Sequence, residues 1–250
     1  SSNYNKIDAN ILVIPAADAS EKESYVLSFG SFWQNIYQVP LRNPPLEVTN
    51  AKPTHLELNQ TGELPYGDNP SEGAFQFMWQ PKSAAKPFFY LFFSSGYCCV
   101  SGDIDVGSEY KIMVCRSESP SGPFVDKEGR SCLTENGGTL IYGTQRQSSR
   151  GIVYAPGGQG VMYDKDIDGG SVVLYYHYIA NFTDVDHPGT FGWNKLDFDT
   201  TGWPEVQALS NSTSSDPTSS NPTGTGTGVS PTSTGESRAS RLSNPFGRFF

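Results

Sequence analysis

Apolar residues along the chain form short runs separated by polar turns, and no stretch shows the 3.6-residue period of an amphipathic helix. Three runs share one pattern, with a leucine at the same place in each: SYVLSFGS (24–31), FFYLFFSS (88–95) and SVVLYYHY (171–178). They are apolar on both faces, as strands in the middle of a buried sheet are. The pattern therefore predicts three related β-units.

Each of these runs has one further strand candidate before it and one or two after it. The candidates before are IDANILVI, SEGAFQFM and YAPGGQGVMY, and those after are IYQVPL with HLEL, YKIMVC with TLIYG, and FGWNKLDF. A repeated unit of about four antiparallel strands is typical of a β-propeller blade. A β-sandwich is the alternative, and it would explain the strands but not the repeat. Because propellers close with about four to eight blades, we expect further blades to precede the first residue.

Composition supports an all-β fold and narrows the class of ligand. The chain is 13% aromatic and 17% charged, with 26 Gly and 18 Pro, which indicates many turns. Its net charge of −9 argues against nucleic acid and anionic membranes as partners, because both attract basic surfaces. No apolar run approaches the length of about 20 residues that a membrane helix needs. A neutral ligand such as a sugar fits this balance.

The last part of the chain has a different composition from the rest. From about residue 208 it consists mainly of Ser, Thr, Pro, Gly and Asn. Such a segment buries too little apolar surface to offset the entropy of ordering it. We therefore expect a globular region at 1–207 and a disordered tail at 208–250.

Cysteines and glycosylation sequons predict a secreted glycoprotein. Sequons begin at Asn59, Asn181 and Asn211. Four cysteines fit two disulfides, and they lack the paired spacing of a zinc site: Cys98, Cys99, Cys115 and Cys132. Because adjacent cysteines do not easily bond to each other, we expect Cys98 and Cys99 each to reach Cys115 or Cys132.

Two carboxylates hold the same position in the repeat. Counting back 19 residues from the leucine of each run gives Asp8, Glu72 and Ala155. The two acids are thus expected to face each other across the axis of the blades. A pair of carboxyl groups in a pocket, one of them kept protonated, is the arrangement used for glycoside hydrolysis. The alternative is structural, with Asp8 capping a turn and Glu72 paired with a Lys or Arg.

Several motifs together resemble the fungal endo-1,5-α-L-arabinanases of glycoside hydrolase family 43. They occur in family order over residues 3–206: YNKIDAN, LSFGSFWQNIYQVPL, PSEGAF, YLFFSSGYCC, YKIMVCRSESPSGPFVDKEG, YAPGGQGV and FGWNKLDF. The resemblance implies a five-bladed β-propeller, of which about three blades are present here. It also implies hydrolysis of the internal α-1,5-L-arabinofuranosidic bonds of arabinan, a plant cell-wall pectin, with inversion at the anomeric carbon.

The resemblance assigns two of the three catalytic acids of the family to this chain. Glu72 matches the general acid, which apolar neighbours and the nearby charge of Asp8 would keep protonated. Asp8 matches the aspartate that orients and tunes that acid. The third acid, an aspartate that acts as general base, belongs to a motif before YNKID, and nothing in this chain corresponds to it.

Further residues match positions that bind sugar or metal in the family. Asn5, Ser31, Phe32 and Trp33 match residues that line the sugar cleft, although ordinary packing is an equal alternative for Trp33. His177 matches the histidine that holds a central metal ion, commonly calcium. A histidine that is simply buried in the core is the alternative.

The resemblance leaves the activity of this chain open between several interpretations. A related exo-acting arabinofuranosidase or β-xylosidase would have the same fold. A non-catalytic remnant that binds arabino-oligosaccharides would keep the cleft without the base, and an incomplete chain would not fold. The expected partner is arabinan, with no organic cofactor, no nucleic acid and no membrane, and we expect an extracellular monomer.

Overall fold

The computed structural model describes residues 4–16, 18, 20–59, 70–98, 107–135, 137–148, 151–181 and 189–207. These residues form twelve β-strands and no helix: β1 (Asn10–Ile14), β2 (Ser24–Phe29), β3 (Ile36–Leu41), β4 (Thr54–Glu57), β5 (Ser71–Trp79), β6 (Phe88–Ser95), β7 (Lys111–Ser117), β8 (Thr139–Tyr142), β9 (Val153–Asp164), β10 (Ser171–Ala180), β11 (Thr190–Phe198) and β12 (Pro204–Val206). Within these ranges there is accordingly no apolar helix long enough to cross a membrane. The predicted tail at 208–250 lies outside the described residues.

The strands form three separate four-stranded antiparallel sheets, each made of consecutive strands. We name them blade 1 (β1–β4), blade 2 (β5–β8) and blade 3 (β9–β12). The three leucine-containing runs are the second strands of their blades, so the predicted repeat is confirmed and the β-sandwich alternative is wrong. The short strand β12 was not predicted, because Pro-Glu-Val carries no apolar run.

Blade 2 is covered on both faces, which explains why its central strand is apolar throughout. Seven of the eight residues of β6 are buried. Tyr90 and Phe92 pack towards Leu174 of blade 3, whereas Leu91 packs with Leu12 of blade 1. Each large apolar side chain buried in this way contributes roughly 1.5–3 kcal/mol. The fold therefore depends on packing between blades as well as on hydrogen bonds within them.

A buried polar network also joins blade 1 to blade 2. The amide oxygen of Gln76, in β5, accepts hydrogen bonds from Ser28 Oγ at 2.6 Å and from Gln38 Nε2 at 2.5 Å. The Gln76 backbone N–H donates to Asn10 Oδ1 at 2.8 Å, and its Nε2 donates to the Pro120 carbonyl at 2.7 Å. Because buried amides are costly when unpaired, this network favours one alignment of the two blades.

The register of the strands corrects the counting of positions in the repeat. Glu72 pairs with Ser94, three residues after the central leucine of blade 2. In blade 3 the residue equivalent to Ser94 is His177, and it pairs with Gly157 rather than with Ala155. Bulges in β5 and β9 cause the difference, since each inserts residues that a fixed count ignores. The expectation that Ala155 is the counterpart of Glu72 is therefore wrong.

The disulfide pairing also differs from the expectation. Cys115 bonds to Cys132, with a Cα–Cα distance of 6.6 Å, so neither of them bonds to Cys98 or Cys99. The chain after β7 turns back along that strand, where Val125 N–H donates to the Arg116 carbonyl at 2.9 Å, and this return brings Cys132 to β7. Cys98 is also disulfide-bonded.

The sequons differ in their surroundings. Asn59 is buried, and its side-chain amide donates to Ser95 Oγ at 3.4 Å, which does not favour a glycan in the folded protein. Asn181 is exposed in the turn after β10, where a glycan would fit. Asn211 lies outside the described residues.

One carboxyl group is buried where β4 ends. Glu57 is 1% exposed, and its Oε2 atom has no hydrogen-bond partner. Burial raises the pKa of Glu57 to about 8, although the nearby Ser71 hydroxyl favours the charged form. An isolated carboxylate is far more costly to bury than a carboxylic acid, so the folded protein keeps Glu57 protonated at neutral pH.

We expect Glu57 to make the protein less stable as the pH rises from about 4.5 to about 8. In this window the folded state holds a proton that the unfolded state has lost, so the free energy of unfolding falls by up to about 1.4 kcal/mol for each pH unit. Glu57→Gln, which cannot ionise, should remove this slope and raise the melting temperature above that of the parent protein at pH 8–9.

The measurement is the melting temperature from pH 5 to pH 9, with Glu21→Gln, an exposed glutamate of blade 1, as the matched control. His55 and the other titrating groups are the same in all three proteins, so their contributions cancel in the difference. Parallel curves for Glu57→Gln and the parent protein would contradict the assignment.

Candidate active site

Glu72 lies at the start of β5, on the rim of blade 2, and two hydroxyl groups hold its carboxyl group. Ser31 Oγ lies 2.7 Å from Oε2, and the Tyr110 hydroxyl lies 2.8 Å from Oε1. A hydroxyl can donate to a carboxylate or accept from a carboxylic acid, so both contacts can form with either state of the carboxyl group. Within the described residues Glu72 forms no ion pair with Lys or Arg.

Asp8 lies beside Glu72 rather than opposite it. Its Oδ2 atom accepts a hydrogen bond from the backbone N–H of Gly73 at 3.2 Å. Partial burial raises the pKa of Asp8, the Gly73 hydrogen bond lowers it, and the negative charge of Glu72 raises it further. The two carboxyl groups predicted from the repeat are thus neighbours that influence each other.

Local backbone conformation brings these two acids together. Gly73 has a φ of +64° and lies in the bulge of β5, between the paired residues Glu72 and Phe75. A bulge with glycine in this conformation redirects the adjacent side chain and turns a backbone N–H out of the ladder. Asp8 itself has a φ of +57°, which aspartate tolerates better than most residues.

The loop after β2 supplies the second wall of the site. Phe32, Trp33 and Asn35 all have positive φ values, a costly conformation that must be stabilised by contacts. Phe32 N–H donates to the Ser71 carbonyl at 2.9 Å, and Asn35 Nδ2 donates to the same carbonyl at 3.2 Å. The loop is therefore anchored to the residue immediately before Glu72.

The predicted cleft residues occupy different depths of this loop. Ser31 is buried and contacts Glu72, and Asn5 Nδ2 donates to the Ser31 carbonyl at 2.8 Å. Phe32 is partly buried, whereas Trp33 is 52% exposed on the loop. Asn5 and Ser31 thus support the position of Glu72, and Trp33 presents an aromatic surface to the solvent.

Blade 3 contributes residues that the sequence analysis did not single out. Gln159 Nε2 donates to the Gly73 carbonyl at 2.7 Å, and Ser94 Oγ donates to Gln159 Oε1 at 2.7 Å. Ser94 Oγ also accepts from Gly158 N–H at 2.9 Å. This chain of hydrogen bonds supports the Gly73 bulge from the side opposite Asp8. In the sequence, the polar Gln159 among the mostly apolar residues and glycines of β9 could have indicated such a role.

Tyr110 was missed as well, and it fits only because of a glycine. A Cβ atom at Gly157 would lie 2.0 Å from the Tyr110 ring, so only glycine leaves space for the phenol to reach Glu72. Burial raises the pKa of Tyr110 well above its usual range, and the charge of Glu72 raises it further. Tyr110 therefore stays protonated and acts as a hydrogen-bond donor.

His177 lies near this cluster, on the opposite strand from Gly157. Its side chain is exposed, and its ring centroid lies 6.2 Å from that of Tyr110. Partial desolvation lowers the pKa of His177, while the charge of Glu72 opposes the effect, so the imidazole is neutral and able to bind a metal at neutral pH.

The described residues around His177 provide too few ligand atoms for a calcium site made of protein groups alone. Calcium takes about six to eight oxygen ligands. In the parts of the chain that the structure describes, no three His, Cys, Asp or Glu side chains cluster around a common point. A metal ion at His177 would therefore need to take most of its ligands from water.

Comparison with known proteins was made by sequence and by structure, and no family model matches the chain. The arabinan endo-1,5-α-L-arabinosidase A of Aspergillus aculeatus is 44% identical over 209 residues, which are 82% of this chain and 56% of that protein. The corresponding enzyme of Aspergillus niger is 40% identical, and the endo-1,5-α-L-arabinosidase C of Emericella nidulans is 43% identical. The chain spans about half the length of these relatives.

Solved structures of arabinanases share the fold. An exo-1,5-α-L-arabinanase from a bovine ruminal metagenomic library is 26% identical with a TM-score of 0.62, over 82% of this chain and 58% of the other. A GH43 endo-arabinanase from Bacillus licheniformis is 26% identical with a TM-score of 0.59 and the same coverage. A Cellvibrio cellulosa α-L-arabinanase complexed with arabinohexaose, 24% identical with a TM-score of 0.62, matches in fold. In its sequence and in its blades this chain is therefore similar to arabinanases, of whose length it spans about half.

Proposed function

We propose that the chain carries the proton-donating part of a glycoside hydrolase site that acts on the internal α-1,5-linkages of arabinan. The main support is the geometry around Glu72, whose carboxyl group lies on the rim beside Asp8 and between two hydroxyl groups. In addition, relatives that are about 40% identical to the chain are named as arabinan endo-1,5-α-L-arabinosidases. The proposal assigns Glu72 as general acid and Asp8 as the neighbour that orients and tunes it.

The chemistry of inversion gives each group one task. Glu72 transfers its proton to the glycosidic oxygen as the bond from that oxygen to the anomeric carbon breaks. A water molecule attacks the same carbon from the opposite face and gives a proton to a general base. Ser31 and Tyr110 hold the Glu72 carboxyl in position and stabilise the carboxylate that remains. The resemblance assigns no residue of this chain to the general base.

Substrate binding is assigned to the loop after β2. Trp33 offers an exposed aromatic face to a sugar ring, while Asn5, Ser31 and Phe32 hold that loop against β5. The choice between internal and terminal cleavage depends on whether the cleft is open at both ends. Product sizes from linear arabinan distinguish an endo-acting enzyme from an exo-acting arabinofuranosidase or β-xylosidase.

We further propose that the protein is secreted and acts as a monomer. The disulfide between Cys115 and Cys132 fits an oxidising compartment, and the exposed Asn181 fits a glycosylated surface. A calcium ion held by His177 and water molecules remains part of the proposal, with a role in stability. No organic cofactor is needed for acid–base hydrolysis.

In the full-length enzyme, Glu72→Gln should reduce the rate of arabinan hydrolysis by about 10²–10⁴-fold, because glutamine cannot donate the proton. Binding of arabinohexaose, measured by calorimetry, should change little, since the amide keeps the shape of the carboxyl group. The matched control is Glu118→Gln, an exposed glutamate of the same blade. Unchanged hydrolysis by Glu72→Gln would remove Glu72 from the role of general acid.

Sodium azide should restore turnover to this chain if the general base is what it lacks. Azide needs no base: its nitrogen bonds to the anomeric carbon while Glu72 protonates the departing oxygen, so the product is a β-arabinofuranosyl azide. We expect about tenfold more product with azide, and none with azide in Glu72→Gln. Binding of arabinohexaose with no product under either condition would favour a carbohydrate-binding role.

Calcium should raise the melting temperature of the parent protein, and EDTA should reverse the rise. The reason is that an ion bound only to the folded state stabilises it by mass action. His177→Ala should lose the response, whereas His55→Ala, which alters a histidine of blade 1, should keep it. An equal response in all three proteins would place the ion elsewhere.

A further inference from the structure

A groove lies between blades 2 and 3 at the ends of the strands that point away from Glu72. Its volume is about 380 Å³, and its lining includes Trp79, Gln80, Ser83 and Tyr163. Trp79 is the last residue of β5, whereas Glu72 is the second, so the groove lies about 20 Å from the candidate active site at about 3.3 Å for each residue. No residue assigned to the catalytic or binding machinery lines it.

Two stacked aromatic rings form the floor of the groove. The rings of Trp79 and Tyr163 lie 5.3 Å apart with an angle of 27° between their planes. Phe77 and Phe198, both partly buried, stack against Trp79 at 5.9 Å and 6.3 Å, and Phe198 also lines the groove. The outer ring, Tyr163, is 50% exposed. The floor is thus a supported aromatic platform with one face in solvent.

A glycine makes this position of the tyrosine ring available. Gly170 ends the turn before β10 with a φ of +121°, and a Cβ atom there would lie 2.2 Å from the Tyr163 hydroxyl. Any other residue would therefore displace the ring or the backbone. Both the packing behind Trp79 and the space at Gly170 favour one fixed orientation of the platform.

The rim of the groove is polar and electrically balanced. Two lysines and two aspartates line it: Lys82, Lys195, Asp197 and Asp199. Lys195 forms an ion pair with Asp168 at 2.7 Å, and Asp199 forms one with Lys127 at 2.7 Å. Because the charges compensate each other, the groove favours neither an anion nor a cation.

An aromatic platform with hydrogen-bonding groups around it matches one class of ligand particularly well. A sugar ring has apolar C–H faces that stack on aromatic rings, and hydroxyl groups that pair with amides, carboxylates and ammonium groups. A volume of about 380 Å³ lies within the range of small-ligand sites, about 300–1,000 Å³. A planar cation or an apolar ligand would leave much of the polar rim unpaired.

We propose that this groove is a second carbohydrate-binding site, which holds a neutral oligosaccharide segment away from the candidate active site. A polymer held at the groove has a raised effective concentration at the cleft near Glu72, so the two sites together bind a long chain more tightly than either alone. The choice of arabinan as its polymer rests on the proposed function, whereas the preference for a sugar rests on the groove.

The test compares binding of linear arabinan and of arabinotriose to the full chain and its variants. Tyr163→Ala should weaken binding of arabinan by about five- to tenfold, as expected for the loss of one stacking surface. Its effect on arabinotriose bound at the cleft should be less than twofold. Met162→Ala is the matched control, because Met162 is the adjacent residue, is 46% exposed and does not line the groove.

A second variant covers the case in which Tyr163→Ala does not fold. Gln80→Ala combined with Lys82→Ala changes only the exposed turn after β5 and should also weaken arabinan binding several-fold. Melting temperatures identify variants that are folded. Binding of arabinan equal to that of the parent protein in both folded variants, or an equal loss in Met162→Ala, would overturn the proposal.

Trp33→Ala separates this proposal from the proposed function. If the groove binds sugar, Trp33→Ala should retain weak binding of arabinan that disappears when Tyr163→Ala is added. Loss of all binding in Trp33→Ala alone would overturn the groove and leave the cleft near Glu72 in place. No effect of Trp33→Ala together with a loss in Tyr163→Ala would support the groove and count against the cleft.

Discussion

The first strand of blade 2, β5, lies between the first strands of the other two blades, and the site depends on this position. β5 contacts both β1 and β9, and polar groups fix it on either side. Gln76 joins it to blade 1 through Ser28, Gln38 and Asn10, and Gln159 joins it to blade 3 through the Gly73 carbonyl. A shift of one residue would leave several of these buried groups unpaired, so the register of β5 is strongly specified.

Glu72 acquires its chemical setting from this register, because no single blade could supply it. Ser31 comes from blade 1, Tyr110 from the segment before β7, and the support of Gly73 from blade 3. The neighbours of Glu72 are hydroxyl groups and a second acid rather than cations. A lysine or arginine would hold the carboxyl group as a permanent anion, which suits a structural ion pair but not a proton donor.

The strands were predictable because the blade pattern is local. A central strand that is covered on both faces is apolar throughout, and polar turns bound it at each end. The sequence therefore predicted β2, β6 and β10. β12 was not visible, because a three-residue edge strand needs no apolar pattern. The pairing of Cys115 with Cys132 was also hidden, since it depends on how the loop after β7 returns.

The site was predictable only in part, because bulges and long-range contacts shape it. A constant count of 19 residues brought out Asp8 and Glu72, which are indeed neighbours, yet it selected Ala155 where the register selects Gly157. Bulges are set by local backbone conformation and do not alter the apolar pattern. Tyr110 reaches Glu72 only because Gly157, from another blade, has no side chain. Contacts of this kind require the folded structure.

The acidic character of the chain becomes understandable when both aromatic surfaces are considered together. A neutral polysaccharide is neither attracted nor repelled by the net charge of −9. It would bind through ring stacking and through hydrogen bonds to its hydroxyl groups. Trp33 near one rim and Tyr163 near the other are both half exposed, and two aspartates line the groove that contains Tyr163. Carboxylates are good acceptors for sugar hydroxyls. Under the two proposals above, uncharged glycans would be bound by ring stacking and hydrogen bonds, neither of which depends on the net charge of the protein.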